Sequence, residues 1–333
     1  MESLRISVII PTYNRADFLK RVSLPSVAAQ TNLPLELIVV DDGSTDETAT
    51  VVRQFADAHP ELAVRYFHQK NAGVAAARNT GIAYAKGDWI LALDSDDALM
   101  PEALDLLGSE AVRARADVVR GHTWRMSWQT GRVNGIGGST PSSVLLSRAI
   151  FVDYGPYDED RNIIEDVDHV FRLQPLIHDG TIKVPYIDMP VAIYYSHSGQ
   201  VTNLATAEKL AVKAAAMIAK WEPIMPRTAA GRANMGRLWR NRGVYLVLAG
   251  KVSEGRQALA RSFAVHPSLG TAILYICSLP GSWAFRHVIL PLRAFGERLG
   301  FRLAFLRFRM RYGAKAYVLR DEARTVDRVA RAA

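Results

Sequence analysis

Cysteine is nearly absent from this chain, since Cys277 is the only one among 333 residues. A single thiol excludes an intrachain disulfide, which is typical of proteins from a reducing compartment without proving one. A secretory signal is also missing from the sequence, because Met1 to Arg5 lead directly into an apolar strand pattern. We therefore expect a cytoplasmic protein.

Long apolar runs are scarce as well. The stretch 267–285 contains no charged residue and is about long enough to cross a bilayer, but Pro280 and Gly281 interrupt it. We expect this stretch to be interfacial or buried rather than transmembrane. The basic segment at about 269–320 has an amphipathic pattern that suits an anionic membrane face, here the inner face of the cytoplasmic membrane. A solvated helix packed on the protein is the alternative.

Charge is divided unevenly along the chain, although the net charge is only +8. Residues 1–210 carry 19 Lys and Arg against 27 Asp and Glu, a net −8, whereas residues 211–333 carry 22 against 6, a net +16. We therefore predict two domains with this boundary. The basic part indicates an anionic partner. We expect no nucleic acid there, because no recognised nucleic-acid-binding module accompanies the charge.

The spacing of apolar residues predicts an α/β fold in the first 120 residues. Strand patterns at 6–10, 35–40, 64–68 and 89–93 alternate with helix patterns at 17–30, 45–59, 72–85 and 101–115, and another strand starts at 117. This alternation indicates a mainly parallel central sheet flanked by helices. Residues 127–143 suggest a loop, 151–160 a turn-rich segment, 164–176 a helix and 183–195 extended chain.

The second part of the sequence is predicted to be helical. Residues 206–265 have Ala-rich and Arg-rich helical patterns. Within them, 238–268 resembles one tetratricopeptide-like hairpin that bends at Gly250. One such unit cannot bury its own apolar face, so we expect it to pack against the first domain or a partner.

Acidic residues crowd the end of the fourth predicted strand. Asp94, Ser95 and Asp96 follow the apolar run 89–93, and Asp97 comes next. Open α/β sheets bind ligands at the carboxyl ends of their strands. A divalent cation would relieve the repulsion between the carboxylates, and such hard oxygen ligands suit Mg²⁺ or Mn²⁺. On its own this short motif also fits an acidic turn that caps a helix.

Three further segments lie at a strand end or a helix start. Tyr13 comes just past the first strand, where an aromatic face could stack on a nucleobase. Asp41 and Asp42 end the second strand, where a carboxylate can accept a hydrogen bond from a base, while Ser44 or Thr45 would cap the following helix. The candidate residues of the three segments are Pro11, Thr12, Tyr13, Arg15, Asp41, Asp42, Asn71, Gly73 and Arg78.

These four segments, in this order, closely resemble the family 2 glycosyltransferases, which have the GT-A fold. The resemblance covers about residues 5–200. It implies nucleotide binding by the nine candidates above together with Asp94 and Ser95. Within that set, Thr12 and Tyr13 would border the nucleobase and Asp42 would pair with it. Arg78 would lie beside the base or diphosphate, Asp94 would face the ribose, and Asp96 would ligate the metal that bridges the diphosphate.

The resemblance extends to the acidic segment 164–168 and implies that Asp166 is the general base. The chemistry needs one, because an acceptor hydroxyl must lose its proton while it attacks the anomeric carbon. Glu165 and Asp168 could raise the pKa of Asp166 by like-charge repulsion, and Glu165 could support the site. An acidic helix start that complements the helix dipole is the alternative interpretation.

His197 and Trp124 are the remaining candidates. His197 lies in a segment that resembles the loop near the end of this family's catalytic domain, where a histidine often faces the diphosphate or metal; a surface-loop histidine is the alternative. Trp124 lies where an acceptor sugar could stack, although core packing explains it equally well. The Gln-x-x-Arg-Trp motif of processive family members is absent after residue 195, which favours transfer of one sugar per event.

The resemblance therefore implies an inverting, Mn²⁺- or Mg²⁺-dependent glycosyltransferase. Its donor would be a nucleotide sugar, with UDP favoured and GDP and dTDP open, and its acceptor a glycan or lipid-linked hydroxyl in cell-surface polysaccharide or glycolipid synthesis. One alternative is a non-catalytic relative that binds nucleotide or glycan. A nucleotidyltransferase is disfavoured, because no Gly-rich phosphate loop with a basic residue lies near the N-terminus. The donor sugar, the linkage and the oligomeric state stay open.

Overall fold

The computed structural model describes residues 4–161, 165–197, 207–225, 228–278, 307–308, 310–311 and 314–332. The chain forms two compact units that do not follow chain order. The first, the catalytic unit, comprises 1–165, 179–197 and 300–333, and the second, the helical unit, comprises 166–178 and 198–299. The domain boundary at residue 210 that the sequence predicts stays a prediction. Much of the predicted membrane segment at 269–320 lies outside the described residues.

Four parallel strands form the first half of the sheet in the catalytic unit. They are β1 (Ile6–Thr12), β2 (Glu36–Asp41), β3 (Val64–His68) and β4 (Trp89–Ala92), and their order in space is β3-β2-β1-β4. Every residue of β1 and β2 is buried, which explains their continuous apolar sequences. The parallel crossovers bring the carboxyl ends of β1, β2 and β4 to one edge of the sheet.

Helices connect these strands. They are α1 (Ala16–Phe18), which continues through a π-helical turn (Leu19–Ser23) into α2 (Leu24–Ala28), then α3 (Thr48–Ala58), α4 (Val74–Tyr84) and α5 (Ala103–Ala114). Helix α4 lies close to β1, because a Cβ at Gly81 would stand 2.4 Å from Cγ2 of Ile9. A larger residue at this position would push α4 away from the sheet.

The second half of the sheet is mixed. It contains β5 (Asp97–Leu99), β6 (Val118–Ser127), β7 (Val133–Gly137), β8 (Val144–Ser147) and β9 (Tyr186–Ser196), with α6 (Arg148–Tyr154) after β8. The order continues from β4 through β8, β6 and β9 to β5, and β7 pairs with β6. Strands β6 and β9 are parallel, whereas β8 is antiparallel to both of its neighbours. The predicted α/β fold is thus confirmed, with a sheet that is fully parallel in its first half and mixed in its second.

A late helix, α12 (Ala314–Ala332), also belongs to the catalytic unit. Leu319, Ala323 and Ala330 from this helix join Trp124 and Tyr195 in a buried apolar cluster on one side of the sheet. A separate apolar cluster, built around β1, β2 and α5, forms the main core of the same unit.

The helical unit contains α7 (Glu165–His178, of which Glu165 itself falls in the catalytic unit), α8 (Ala207–Trp221), α9 (Ala229–Leu248), α10 (Val252–Val265) and α11 (Leu269–Cys277). Helices α9 and α10 join at Gly250, whose φ of 89° favours glycine. They pack closely, because a Cβ at Gly243 would stand 2.7 Å from Cγ of Leu259. Among the described residues we find no helix with the length and apolar character needed to cross a bilayer.

Candidate active site

The loops that follow β1 and β2 are tied together by side-chain hydrogen bonds. Asn14 has a left-handed backbone with φ of 50°, its amide donates to Oγ of Ser44 at 2.8 Å, and its Oδ1 accepts from the amide of Thr45 at 2.8 Å. Asp46 accepts from the amides of Ala16 and Thr48. The expectation that Ser44 or Thr45 caps the next helix is therefore wrong, because Ser44 serves the neighbouring loop and Asp46 bonds the first amide of α3.

Both acids at the end of β2 are buried and hydrogen-bonded by protein groups. Oδ2 of Asp41 accepts from the hydroxyl of Tyr66 at 2.5 Å, and its Oδ1 accepts from the amide of Ser44 at 2.8 Å. Oδ1 of Asp42 accepts from Nε2 of Gln69 and from the amide of Ala72 at 2.8 and 2.9 Å, and Oδ2 accepts from the amide of Gly73 at 2.7 Å. Asp42 thus holds the loop that leads into α4.

The residues around this strand end differ in exposure. Pro11 and Thr12 are buried, whereas Tyr13 is 49% exposed, as a ring that stacks on a nucleobase must be. Asn71 is exposed in the loop before α4, and Gly73 precedes α4 with φ of 96°, a conformation that favours glycine.

Arg78 of α4 joins two acidic segments that are far apart in sequence. Its Nη2 donates to Oδ1 of Asp94 at 2.6 Å, and its Nη1 pairs with Glu165. Arg78 and Glu165 are 3% and 4% exposed, so this ion pair is almost shielded from water. Buried charges of this kind are held by their partners, and removal of one partner leaves the other uncompensated. The ion pair therefore ties Glu165 to the helix α4, whose Arg78 also holds Asp94.

Asp96 lies between an imidazole and a guanidinium. Its Oδ2 is 2.9 Å from Nε2 of His197 and 4.0 Å from Nη2 of Arg15. The Asp96 side chain keeps 20% of its surface exposed, while Ser95 beside it is buried. Phe18 packs against the His197 ring with 4.7 Å between ring centroids. The structure thus brings together the two residues that the resemblance predicts as metal ligands.

Asp97 is the buried member of the acidic run. Burial, together with the nearby charges of Asp96 and Asp94, raises the pKa of Asp97 well above its usual value. Its Oδ2 accepts from Oγ of Ser142 at 2.7 Å, and Ser142 also accepts from the amide of Asp94. Ser142 therefore supports the acidic turn from the segment 127–143, which the sequence indicated only as a loop.

Asp166 begins the helical unit and is half-buried, with its Oδ1 accepting from the amide of Val167 at 2.8 Å. The fully buried Asp168 is paired with Lys220 at 2.9 Å and accepts from Nε1 of Trp221 at 2.7 Å. Burial and the Arg172 charge lower the pKa of the adjacent His169 to about 4.

Trp124 lies at the centre of the buried cluster with α12 and has no exposed surface. A role in stacking on an acceptor would require an exposed face, so the alternative, core packing, accounts for its position. Sequence reasoning assigned no role to Tyr66, Ser142 or Phe18, which contact the candidate residues. The only sequence signal for them is their place near strand ends and helix starts, which many residues share.

The predicted metal ligands Asp96 and His197 have donor atoms that suit a hard divalent cation, but two ligands are few for such an ion. Carboxylate oxygens and one imidazole nitrogen are ligands that Mn²⁺ accepts, and Mg²⁺ or Mn²⁺ commonly retains water and substrate phosphates. Within the described residues, no group of three or more His, Cys, Asp or Glu side chains is arranged to hold a metal ion. Asp96 and His197 would therefore need oxygen ligands from the substrate to complete the coordination.

The sequence of this chain is similar to known glycosyltransferases. Residues 7–136 match the family described as "Glycosyl transferase family 2". The "Uncharacterized glycosyltransferase YibD" of Escherichia coli is 36% identical over 143 residues, which are 40% of this chain and 40% of the relative. "Glycosyltransferase GlyA" of Streptococcus pneumoniae is 33% identical over 127 residues, which are 38% of this chain and 18% of the relative. The chain thus spans less than half the length of these relatives.

Solved structures show the same fold. S. aureus TarS 1–349, in complex with UDP-GlcNAc, superposes with a TM-score of 0.56 at 19% identity, covering 79% of this chain and 82% of TarS. The mannosyltransferase PcManGT from Pyrobaculum calidifontis, in complex with GDP-Man and Mn²⁺, gives a TM-score of 0.58 at 20% identity, covering 90% and 85%. The fold is thus of the GT-A type, with a helical C-terminal region. Residues 7–136 thus carry a match to glycosyl transferase family 2, and the relatives and solved structures agree with the predicted family.

Proposed function

We propose that this protein is an inverting, metal-dependent glycosyltransferase that moves one sugar from a nucleotide-diphosphate sugar to an acceptor hydroxyl. The observation that carries the proposal is the acidic edge of the sheet, where Asp94 and Asp96 lie beside Arg78 and His197 within a family 2 domain. UDP is the carrier we propose. TarS with UDP-GlcNAc supports it, although PcManGT with GDP-Man shows that another base fits this fold.

In this proposal the nucleotide binds along the ends of β1, β2 and β4. The exposed ring of Tyr13 covers the nucleobase, and the loop that Asp42 organises, including Asn71 and Gly73, forms the adjacent wall. Because both oxygens of Asp42 already accept protein hydrogen bonds, we propose that it shapes this wall more than it pairs with the base. Pro11, Thr12, Arg15, Asp41 and Ser95 complete the nucleotide edge.

Asp96 and His197 would hold Mn²⁺ or Mg²⁺ at the diphosphate. The cation supplies charge stabilisation for the departing nucleoside diphosphate. Arg78 pairs with both Asp94 and Glu165, which offsets part of the negative charge that an anionic donor would meet. Asp166 would take the proton of the acceptor hydroxyl during attack at the anomeric carbon, and attack from the face opposite the leaving group inverts the configuration.

The acceptor and the cellular location are proposed from a relative and from the charge of the chain. Chondroitin synthase of Escherichia coli is 40% identical over 101 residues, which are 30% of this chain and 14% of the relative. We propose a glycan or lipid-linked acceptor in cell-surface polysaccharide or glycolipid synthesis, and peripheral binding at the inner face of the cytoplasmic membrane. The net charge of +16 in residues 211–333 supports an anionic membrane surface as partner.

Thermal unfolding of the full chain with UDP, GDP, CDP or dTDP, each with Mn²⁺, Mg²⁺ or EDTA, tests the site. A ligand that binds only the native state raises its apparent stability. We expect a metal-dependent increase with one nucleotide, UDP, and loss of that increase in Asp96→Asn. Donor hydrolysis by the wild type but not by Asp166→Asn would support the base. Nucleotide binding without hydrolysis or transfer over a broad acceptor panel would instead favour a non-catalytic relative.

A further inference from the structure

Helix α12 lies more than 100 residues beyond the matched family 2 segment, yet it packs in the catalytic unit. Its end is fixed by hydrogen bonds from the first helical segment of that unit. Nε and Nη2 of Arg21 donate to the carbonyls of Ala330 and Arg331 at 3.0 and 2.9 Å. The last carbonyls of a helix have no partner inside the helix, and a cationic donor there also complements the helix dipole. Arg21 thus caps the C-terminal end of α12.

The same end of α12 is held to the hairpin between β6 and β7. Nε of Arg331 pairs with Oδ2 of Asp327 at 2.7 Å, and its Nη2 donates to the carbonyl of Ser127 at 3.2 Å. A Cβ at Gly131 would stand 2.8 Å from that same Oδ2 of Asp327, and the φ of Gly131 is 62°. The close approach of helix and hairpin therefore depends on a glycine at position 131.

Trp128 occupies the space between these groups. The guanidinium carbons of Arg21 and Arg331 lie 5.5 and 5.2 Å from its ring centroid, within the range of cation–π contacts. The Trp128 ring also packs on Phe18 at 4.9 Å and, edge-on, on Tyr195 at 5.4 Å. The position of Trp128 is thus set in part by α12.

Phe18 connects this cluster to the acidic turn. Its ring lies 4.7 Å from the His197 ring and 5.4 Å from the guanidinium of Arg15. His197 and Arg15 are the two groups that face Oδ2 of Asp96. One aromatic ring therefore contacts both partners of the proposed metal ligand, and the π-helical turn of Leu19–Ser23 follows directly after it. Irregular turns of this kind are common at functional sites.

We propose that α12 is a positioning element for the metal end of the active site, acting through Trp128 and Phe18 on His197. Packing of Phe18 restricts the rotation of the imidazole and keeps its Nε2 beside Asp96. Loss of the α12 contacts lets Trp128 and then Phe18 move, which weakens the metal site and leaves the nucleobase wall intact. This inference rests on the proposed function, because it concerns the metal that the proposed reaction uses.

The test measures UDP affinity of the full chain by calorimetry, with Mn²⁺ and separately with EDTA. The variants are Trp128→Ala, the conservative Trp128→Phe, and Arg331→Ala, with Arg328→Ala as the matched control because Arg328 is exposed on the same helix. Partners that orient metal ligands typically contribute 10- to 100-fold in metal affinity. We expect Trp128→Ala and Arg331→Ala to weaken UDP binding with Mn²⁺ about 10-fold and binding with EDTA less than about 2-fold. Trp128→Phe and Arg328→Ala should stay within about 3-fold of the wild type.

The outcomes separate this proposal from the proposed function. If the wild type binds UDP equally well with Mn²⁺ and with EDTA, the proposed metal-dependent function is contradicted, and the role of α12 that rests on it is contradicted as well. If the wild type shows that difference and both Trp128→Ala and Arg331→Ala retain it, the positioning role of α12 is overturned. Equal losses with Mn²⁺ and with EDTA would also overturn it, because α12 would then support the whole pocket. Circular dichroism and urea unfolding establish that each variant compared is folded.

Discussion

The two acidic clusters at neighbouring strand ends are used in different ways. Asp41 and Asp42, after β2, are buried and accept hydrogen bonds from loops of their own unit. Asp94 and Asp96, after β4, keep 28% and 20% of their side-chain surface exposed and face charged or ionisable groups. In the sequence the two clusters have the same pattern, because closely spaced acids follow an apolar strand in both.

The first cluster thus organises the backbone, whereas the second cluster keeps exposed surface that a ligand could contact. A carboxylate with several amide donors holds a loop in place, and its replacement should cost stability. A carboxylate beside other acids is strained by repulsion, and a bound cation relieves that repulsion. Burial raises the pKa of Asp97, and the charges of Asp96 and Asp94 add to that rise through this repulsion.

The largest effect on stability is expected at Arg78, which pairs with Asp94 of the second cluster and with the buried Glu165. Arg78→Met leaves Glu165 buried without its cation, and such broken pairs typically cost about 3–5 kcal/mol. Urea unfolding should show this loss, and UDP affinity should fall with it. Arg65→Met is the matched control, because Arg65 pairs at 2.7 Å with the buried Glu36, which keeps bonds from Ser7 and the amide of Lys86. Equal stability of Arg78→Met and the wild type would contradict the assignment of this pair as structural.

Asp96→Asn should produce the clearest separation between activity and stability. Removal of one group that stabilises charge in a transition state typically lowers the rate by about 100- to 1000-fold. Folding stability should hold or rise, because the substitution removes one of three neighbouring carboxylate charges. Steady-state transfer or donor hydrolysis, measured beside urea unfolding, checks both parts. If the variant is stable and turns over at the wild-type rate, the assignment of Asp96 to the site is wrong.

Asp42→Ala should show the opposite pattern. The substitution leaves the amides of Ala72 and Gly73 without their acceptor, which we expect to cost about 2–3 kcal/mol. Asp42→Asn retains one oxygen acceptor and should lose less. Metal dependence of UDP binding should survive in both variants even as affinity drops. If Asp42→Ala unfolds at the same urea concentration as the wild type, the hydrogen bonds between Asp42 and the loop do not stabilise the fold.

The smallest effect is expected at Asp46, the exposed acid beside the first cluster. Partial burial opposes its ionisation, but hydrogen bonds from Thr48 and from the amide of Ala16 hold the pKa of Asp46 below its usual value. A lowered pKa contributes stability above the ordinary value of 3.8 that is lost as the pH falls through the folded-state pKa. Asp46→Asn should therefore lower stability by about 0.5 kcal/mol at neutral pH, given solvent screening, and by less in acid. Urea unfolding between about pH 7 and pH 3.5 checks the trend, and a pH-independent difference would contradict it.

The sequence was most informative for the parallel half of the sheet. Strand β3 begins and ends as predicted, at Val64 and His68, and β1, β2 and β4 differ from their predicted bounds by two residues or fewer. Strands β1, β2 and β4 are largely apolar runs, and all four strands are separated by periodic helices, so the local pattern suffices. Strands β5, β7 and β8 were missed because β5 is only Asp97–Leu99, while β7 contains Gly135 and Gly137 and lies in a stretch typical of loops. Their pairing depends on distant strands, which a local pattern does not contain.

For the candidate site, the sequence predicted which strand ends meet but not how each side chain is used. Asp96 and His197 are 101 positions apart and still lie in contact, as the predicted ligand pair requires. The partner of Asp42 was not predictable, since Gln69 carries no distinguishing local signal. Glu165 was a candidate residue, but its pairing with Arg78 was not predictable, because the two lie far apart in sequence. Trp124 illustrates the same limit, because its burial depends on α12, almost 200 residues away. Metal binding and the role of Asp166 stay predictions.

The position of α12 also affects how the protein can be made. Strands and helices up to β9 leave the ribosome well before residues 314–332, by a delay on the order of ten seconds at ordinary synthesis rates. Until then the apolar cluster around Trp124 and Tyr195 lacks the Leu319, Ala323 and Ala330 side chains that cover it. The nascent catalytic unit therefore exposes an incomplete apolar surface throughout that interval, and exposed apolar surface of this kind favours aggregation.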